Sequence, residues 1–536
     1  MEVRPDSVVR FYSGIPFDST YVHTLWFNDV TAQNNYFHNG TRHKFEVGNM
    51  SYQRVNRGVM RVEIPADDLY DCNYMAFRNT KYSGKWFYAF ITMVEYVNDK
   101  TASVTYEIDD VQTWLFDVEM KECYVEREHS ASDAIGDNIL PEPVEVGEYV
   151  DSDGETVRPN TVPSGYCVIV LVADEQTGIN GGIYNGVYCG ADIYAYNSTD
   201  TDSLKAFLND YIQQPDAILS LYMCPAFLLP TIPTGGKRIT PLDTAVINNG
   251  YAYNCKMTNA TDKFGNYLPK NKKLYTYPYN YLRVDNNSGQ SLALRYEFFK
   301  TLTPNTCPIK VYGTVIPPVK VMARPMDYKG HQGSDITPIS NLFGSTAECI
   351  TLENYPQCAW GVDSYASWLA QNSVPIALNL FTGAASTAIS TVAHPITPSS
   401  VGRGISHGIN TFVDIFKEAY SASIIADQCR GNIASGNVNM AVGTQDFYAW
   451  RCHITEDYAR MIDHFFTVFG YSCKKVKVPN RNSRPKWNYV KTAQCNLIGS
   501  APSDAIRHLC EIYNNGITFW KNASEVGNYS LNNSPS

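Results

Sequence analysis

The chain has 536 residues, 44% of them hydrophobic, and its 43 Lys and Arg stand against 53 Asp and Glu for a formal charge of −10. That length supports several domains with true cores, and the acidic balance speaks against tight nucleic-acid binding, although it suits the wall of a channel through which a polyanion slides. The fourteen cysteines are scattered, with no C-x-x-C and no zinc-ligand spacing, and read as free thiols of a protein assembled in a reducing cytoplasm.

The first residues, MEVRPDSVVRFYS, contain no apolar run of the kind that opens a secretory signal. His38 and His43, in HNGTRH, lack the Glu and the helical setting of a zinc-protease motif and read as surface-loop residues. With 38 Tyr, 23 Phe and 8 Trp, mostly in strand-like text, the chain should be rich in β-structure. Lys85 to Val97 (KWFYAFITMVEYV) predicts a strand apolar on both faces, Asn98-Asp99-Lys100 a turn, and Thr101 to Asp109 the returning strand, with Ala102, Val104, Tyr106 and Ile108 alternating against polar neighbours. A short helical turn over Asp110 to Phe116 and a strand over Glu119 to Glu128 follow.

Residues 140 to 270 are punctuated by Gly, Pro and Asn/Asp runs, including Pro141-Glu142-Pro143, and predict a separate loop-rich α+β domain. Within it, PTGGK at 233 to 237 lacks the spacing and the Ser or Thr of a phosphate loop and reads as a turn. From Leu274 a second β-block appears: YTYPYNYLRV, the turn DNNSG at 285 to 289, then QSLALRYEFF. Two such units suggest a duplicated barrel or sandwich, although the sequences are not repeats.

Residues 364 to 402 then contain no Asp, Glu, Lys or Arg. Val374 to Ala393 would make about 30 Å of helix, the thickness of a bilayer's hydrocarbon core. Leu378, Phe381, Ala385, Ile389 and Val392 fall on one arc of a helical wheel, and Asn379, Thr382, Ser386 and Ser390 on a neighbouring uncharged polar arc. After a break at His394 to Gly404, Ile405, Ile409, Phe412, Phe416 and Ala419 form a second stripe with Asp414, Lys417 and Glu418 opposite. Residues 364 to 445 therefore read as a helix-loop-helix insertion: a buried core hairpin, a membrane-contacting segment or a disordered loop. Pro375 and the many Ser and Thr make it an unconventional span.

At the C-terminal end, Thr455 can cap a helix whose inner side is Tyr458, Met461, Ile462, Phe465, Phe466 and Phe469, stopping at Gly470. Strands are expected over Ser472 to Val478 and Lys486 to Thr492, then a helix capped by Ser503 with Ile506, Leu509, Cys510 and Tyr513 inside, and a strand over Ile517 to Trp520. The basic run Lys474 to Lys491 reads as a solvated hairpin or a phosphate-contacting edge. No catalytic constellation emerges. Asp67-Asp68 and Glu107-Asp109-Asp110 fit capping and solvation better than a glycosidase pair, and there is no G-x-S-x-G elbow. No metal site and no cofactor are expected.

KWFYAFITMVEYV with YEIDDVQTWLFDVEMKECYVEREH at 106 to 129 resembles the distal tail knob, or tail tube, proteins of small short-tailed phages of the Picovirinae type. The same likeness holds for YPYNYLRVDNNSG at 277 to 289. It holds again for FFTVFGY, KKVKVPN, KWNYV, NGITFW and GNYS between residues 465 and 530. The resemblance implies a mainly β protein with α+β parts and tandem tail-tube-like β-barrels: a first barrel over 1–139, a distal knob over 140–273, a second barrel over 274–363, the hydrophobic plug or membrane loop over 364–445, and a C-terminal α+β part over 446–536 completing the second tube region. It implies a non-enzymatic virion protein, made in the host cytoplasm, that assembles as a homo-hexamer with other tail proteins on the collar side. Such a ring conducts genomic double-stranded DNA and is plugged by loops that later meet or perforate the host membrane. The named apolar stripes would be the membrane face and the Asn, Thr and Ser arc the pore lining. Two alternatives stay open: a receptor- or wall-glycan-binding knob in which the loop is a stopper, and a wall-degrading tail enzyme.

Overall fold

The computed structural model describes residues 7–39, 42–50, 58–79, 84–162, 165–172, 182–184, 187–189, 192–198, 200–210, 217–229, 235–239, 250–299, 306–315, 319–329, 348–353, 355, 357–359, 432–434 and 445–535. Two compact units divide the chain, one from Met1–Glu148, Ala260–Thr276 and Thr455–Ser536, the other from Tyr149–Asn259 and Tyr277–Ile454.

The first unit opens with β1 (Ser7–Ser13), β2 (His23–Leu25), α1 (Val30–His38), β3 (Phe45–Met50), β4 (Val59–Val62), α2 (Ala66–Leu69), β5 (Cys72–Asn79), β6 (Phe87–Asn98), β7 (Thr101–Ile108), α3 (Asp110–Trp114), β8 (Val118–Met120) and β9 (Cys123–Glu128). Six strands make an antiparallel sheet in the order β3-β1-β5-β6-β7-β4. Strand alternation buries both of its faces. Tyr12, Tyr74, Tyr88 and Phe90 enter an aromatic core on one side, and Val9, Phe11, Met75, Ala89 and Val104 pack on the other. The β6–β7 hairpin forms where the sequence predicts it, but only the first half of β6 is apolar-covered, since Met93 and Tyr96 are 49% and 62% exposed. The strand expected over Glu119 to Glu128 is two strands, interrupted at Lys121 and Glu122, because β8 and β9 join different sheets.

The second unit contains β10 (Tyr149–Thr156), β11 (Tyr166–Val172), β12 (Gly182–Tyr184), β13 (Val187–Cys189), β14 (Asp192–Asn197), α4 (Thr201–Asp210), β15 (Ile218–Pro225), β16 (Lys237–Ile239), β17 (Gly250–Lys256), β18 (Asn280–Asp285), β19 (Ser291–Leu294), β20 (Thr306–Thr314), β21 (Lys320–Pro325), β22 (Ile350–Leu352), β23 (Gln357–Ala359), β24 (Asn432–Ala434) and β25 (Tyr448–Ile454). Its main sheets run β10-β25-β18-β19, β16-β14-β11-β15-β23-β24 and β17-β20-β21-β22. Residues from all three share one core that includes Val168, Tyr222, Leu282, Val311 and Ala449. The expected turn at 285 to 289 closes the β18–β19 hairpin, organised by the Asn286 carboxamide oxygen accepting from the Ser288 and Gln290 N–H groups at 2.9 and 3.1 Å.

The chain returns to the first unit with α5 (Glu456–Phe469), β26 (Tyr471–Lys477), β27 (Trp487–Gln494), β28 (Leu497–Gly499), α6 (Ser503–Asn515) and β29 (Ile517–Trp520). These build the five-stranded sheet β2-β29-β27-β9-β26. Trp487 and Trp520, both 0% exposed, lie 4.8 Å apart in the same core as Tyr12 and Tyr74. Three expectations are corrected. Thr455 occupies the N-cap of α5 but its hydroxyl makes no capping bond. Pro502, not Ser503, occupies the N-cap of α6, which therefore has no side-chain capping bond. The buried stripes differ from the expected ones: Ala459, Ile462, Asp463 and Phe466 face inward on α5 while Met461 is 58% exposed, and on α6 the buried residues are Ala505, Leu509, Ile512 and Tyr513, with Ile506 and Cys510 only partly buried. The whole is a mainly β protein with several antiparallel sheets and a few short helices.

Candidate functional site

At the edge of the second unit's six-stranded sheet lie the two strands that flank the stretch containing the uncharged residues 364 to 402. β23 and β24 pair antiparallel through Gln357↔Ala434, Cys358↔Ile433 and Ala359↔Asn432, and β23 in turn pairs with β15. Ala359 and Asn432 thus end neighbouring strands of this sheet, and residues 360–431, which connect them, lie outside the described residues. An insertion rooted in this way costs the fold little, since loop-closure entropy rises only logarithmically with length. Leu378, Phe381, Ala385, Ile389, Val392, Ile405, Ile409, Phe412 and Phe416, and the polar Asn379, Thr382, Ser386 and Ser390, all lie between these two strands and outside the described residues. Among the described residues no helix is long and apolar enough to cross a membrane.

The other chemistry-bearing residues are absorbed by the fold. Asp109, fully buried, caps α3 by accepting from the Gln112 N–H at 3.1 Å and takes the Tyr74 hydroxyl at 2.8 Å; burial pushes its carboxyl up to about 7. Asp110 pairs with His508 at 2.7 Å, and Asp67 and Asp68 sit in the first turn of α2. His38 is not a surface-loop residue. It ends α1, stacks on Trp86 at 4.1 Å and lies between the Tyr12 and Tyr88 hydroxyls at 3.1 and 3.2 Å, and burial drives its imidazole down to about 3. His43 stands 3.8 Å from Glu46 instead. Gly235 and Gly236 turn into strand β16 rather than into a helix, so no phosphate cradle forms. Among the described residues no group of three or more His, Cys, Asp or Glu is placed to hold a metal ion. A small cleft in the second unit is lined by the Arg158–Asp446 pair, 3.4 Å apart, with Tyr166, Phe227, Tyr251 and Tyr355.

The basic run is not a hairpin: β26 and β27 lie on opposite sides of β9. Lys477 pairs with Glu128, Lys486 with Glu525 at 2.6 Å and Lys491 with Glu126 at 2.9 Å, so much of its charge is met inside the unit. A second network escaped the sequence. Glu142, its side chain 0% exposed, receives Arg127 and Lys273 and accepts from the Ser472 N–H at 2.9 Å and hydroxyl at 3.0 Å. No local pattern signals such a carboxylate, because its partners lie up to 330 residues away.

The C-terminal domain of tail knob protein gp9 of Bacillus phage phi29 defines a family that matches residues 245–534. The chain belongs to this tail knob family. Residues 5–120, which contain the six-stranded sheet, match the N-terminus of caudoviral major tail proteins. Tail knob proteins gp9 of Bacillus phages B103, PZA and phi29 are 26%, 25% and 24% identical, each over 98% of this chain and 98% of the relative. The fold is similar to that of the bacteriophage C1 tail knob protein, gp12, with a TM-score of 0.60 and 15% identity over 99% of this chain and 100% of that one. The resemblance read from the aromatic strings is therefore correct at family level. The tail knob family is a family of structural virion tail components, and its N-terminal portion here is a tail-tube-like domain.

Proposed function

We propose that six copies of this chain close into a tail knob whose lumen conducts the genome, and that the part of the 364–445 insertion that precedes β24 plugs the lumen in each copy until it is released to contact or perforate the host membrane. In this reading 1–139, 274–363 and 446–536 carry two barrel-type tube domains and 140–273 the distal knob. The ring adjoins other tail proteins, and its knob meets the host surface. The observation that supports the reading is the strand pair Ala359↔Asn432, which joins at one sheet edge the two ends of the stretch that contains the uncharged residues 364–402, so that release of that stretch would leave β23 and β24 paired. Apolar arcs packed against one another in a plug shield each other from water, and on release the same arcs meet lipid. The net charge of −10 favours a wall that does not hold DNA.

Negative-stain electron microscopy of the purified full-length protein tests this. Six-fold rings with filled centres are expected, and rings with open centres from a variant lacking 364–430 that keeps β23 and β24. Monomers or trimers from both proteins overturn the hexameric tube, and closed centres in the deletion variant overturn the plug.

A further inference from the structure

Strand register in the second unit sets two pairs of cysteines face to face. Cys167 of β11 is the antiparallel partner of Cys224 of β15, and Cys255 of β17 is the partner of Cys307 of β20. Directly opposed residues of an antiparallel pair have Cα atoms about 4.5 or 5.5 Å apart and project to the same face. A disulfide requires about 4.4–6.8 Å, so the backbone at both places already meets the bond's demand. All four are free thiols, each 0% exposed, in one core. The register is selective: Cys123 faces Lys477, and Cys452 faces Asp151 and Tyr281.

We propose that Cys167–Cys224 and Cys255–Cys307 are two cross-strand disulfide sites, thiols in a reducing cytoplasm and closed once the protein reaches an oxidising medium containing a low-molecular-weight disulfide. The inference stands on register and is independent of the role proposed above. One cysteine of a pair, as thiolate, attacks the small disulfide and expels one small thiol. The second cysteine then attacks the mixed disulfide and expels the other, so that the protein pair loses two electrons and two protons and the oxidant leaves as two thiols. Burial pushes the thiols up, Cys167 to about 12, so the thiolate is scarce in the closed sheet and reaction follows strand opening. The same burial shields the finished bond from reductants.

Full-length protein purified under reductant is transferred to oxidised glutathione just below its melting transition, where strands open, then alkylated in denaturant and mapped by mass spectrometry without reduction. Linked peptides joining Cys167 to Cys224 and Cys255 to Cys307 are expected, with Cys123 and Cys452 alkylated and the thermal midpoint raised. C167S and C255S each lose one link, keep the other and show a smaller rise. Full alkylation of all four cysteines, glutathione adducts alone, or these two pairings no commoner than others overturns the proposal.

Discussion

Asp109 and His129 give the first unit two opposed pH dependences. The Asp109 carboxyl lies at about 7 against an ordinary 3.8 because burial penalises its charge. Between those values the folded chain holds a proton that the unfolded chain releases, so this residue's contribution falls as pH rises from about 4 to 7. His129 accepts from the Tyr489 N–H through Nδ1 at 2.7 Å and donates through Nε2 to the Thr467 carbonyl at 3.2 Å, which fixes one neutral tautomer. Burial drives its pKa down to about 3. Its contribution is therefore complete above 6.5 and is lost as pH falls toward 3. Asp109→Asn keeps a capping oxygen and removes the charge. The difference in stability between variant and wild type should be small at pH 4 and favour the variant by roughly 2–4 kcal/mol at pH 8. Urea titrations at both pH values measure it, and a difference independent of pH contradicts the buried-carboxylate account.

At the scale of elements, α5 ends because Gly470 takes φ 64 and its N–H bonds back to the Phe466 carbonyl at 2.8 Å. A Cβ there would stand 2.3 Å from the Glu128 carbonyl oxygen, whereas Gly527, also at φ 82, faces open space. Gly470→Ala should cost about 2–4 kcal/mol and Gly527→Ala about 1 kcal/mol, the second being the backbone penalty alone. Equal losses in thermal denaturation would show that the close approach to β9 is not felt. This stop signal was legible in the sequence, as were the β6–β7 hairpin and the β29 strand, because each is written in contiguous residues. The inner face of α5 was not, since its apolar residues exceed the stripe that is buried and Asp463, 1% exposed, occupies the interior. There it accepts from the Lys270 and Asn271 N–H groups at 2.8 and 3.0 Å. The root of the insertion was equally hidden. β23 and β24 are three residues each, too short for a periodic pattern, and they pair across the whole uncharged segment. The cysteine pairs share that cause: register between distant strands has no local signature.

At the scale of the molecule, the proposed plug role gives a reason for an acidic, mainly β chain to carry a segment with no charge between residues 364 and 402. A core hairpin and a membrane-contacting appendage place the same demand on composition but differ in what a charge does. In a buried hairpin, Phe381→Asp with Ile389→Asp would destabilise the folded protein. In an appendage rooted at Ala359↔Asn432 the sheets do not depend on it, and the cost falls on lipid insertion instead, roughly 2.5–3.5 kcal/mol for each charge at mid-bilayer depth and so about 5–7 kcal/mol for both. The doubly substituted chain should therefore melt at the wild-type temperature and still assemble. A peptide spanning 364–445 should release dye from liposomes in its wild-type form and lose that leakage when both aspartates are present. Leakage that survives the two charges removes the membrane role, and a lowered melting temperature with unchanged leakage returns the segment to the core.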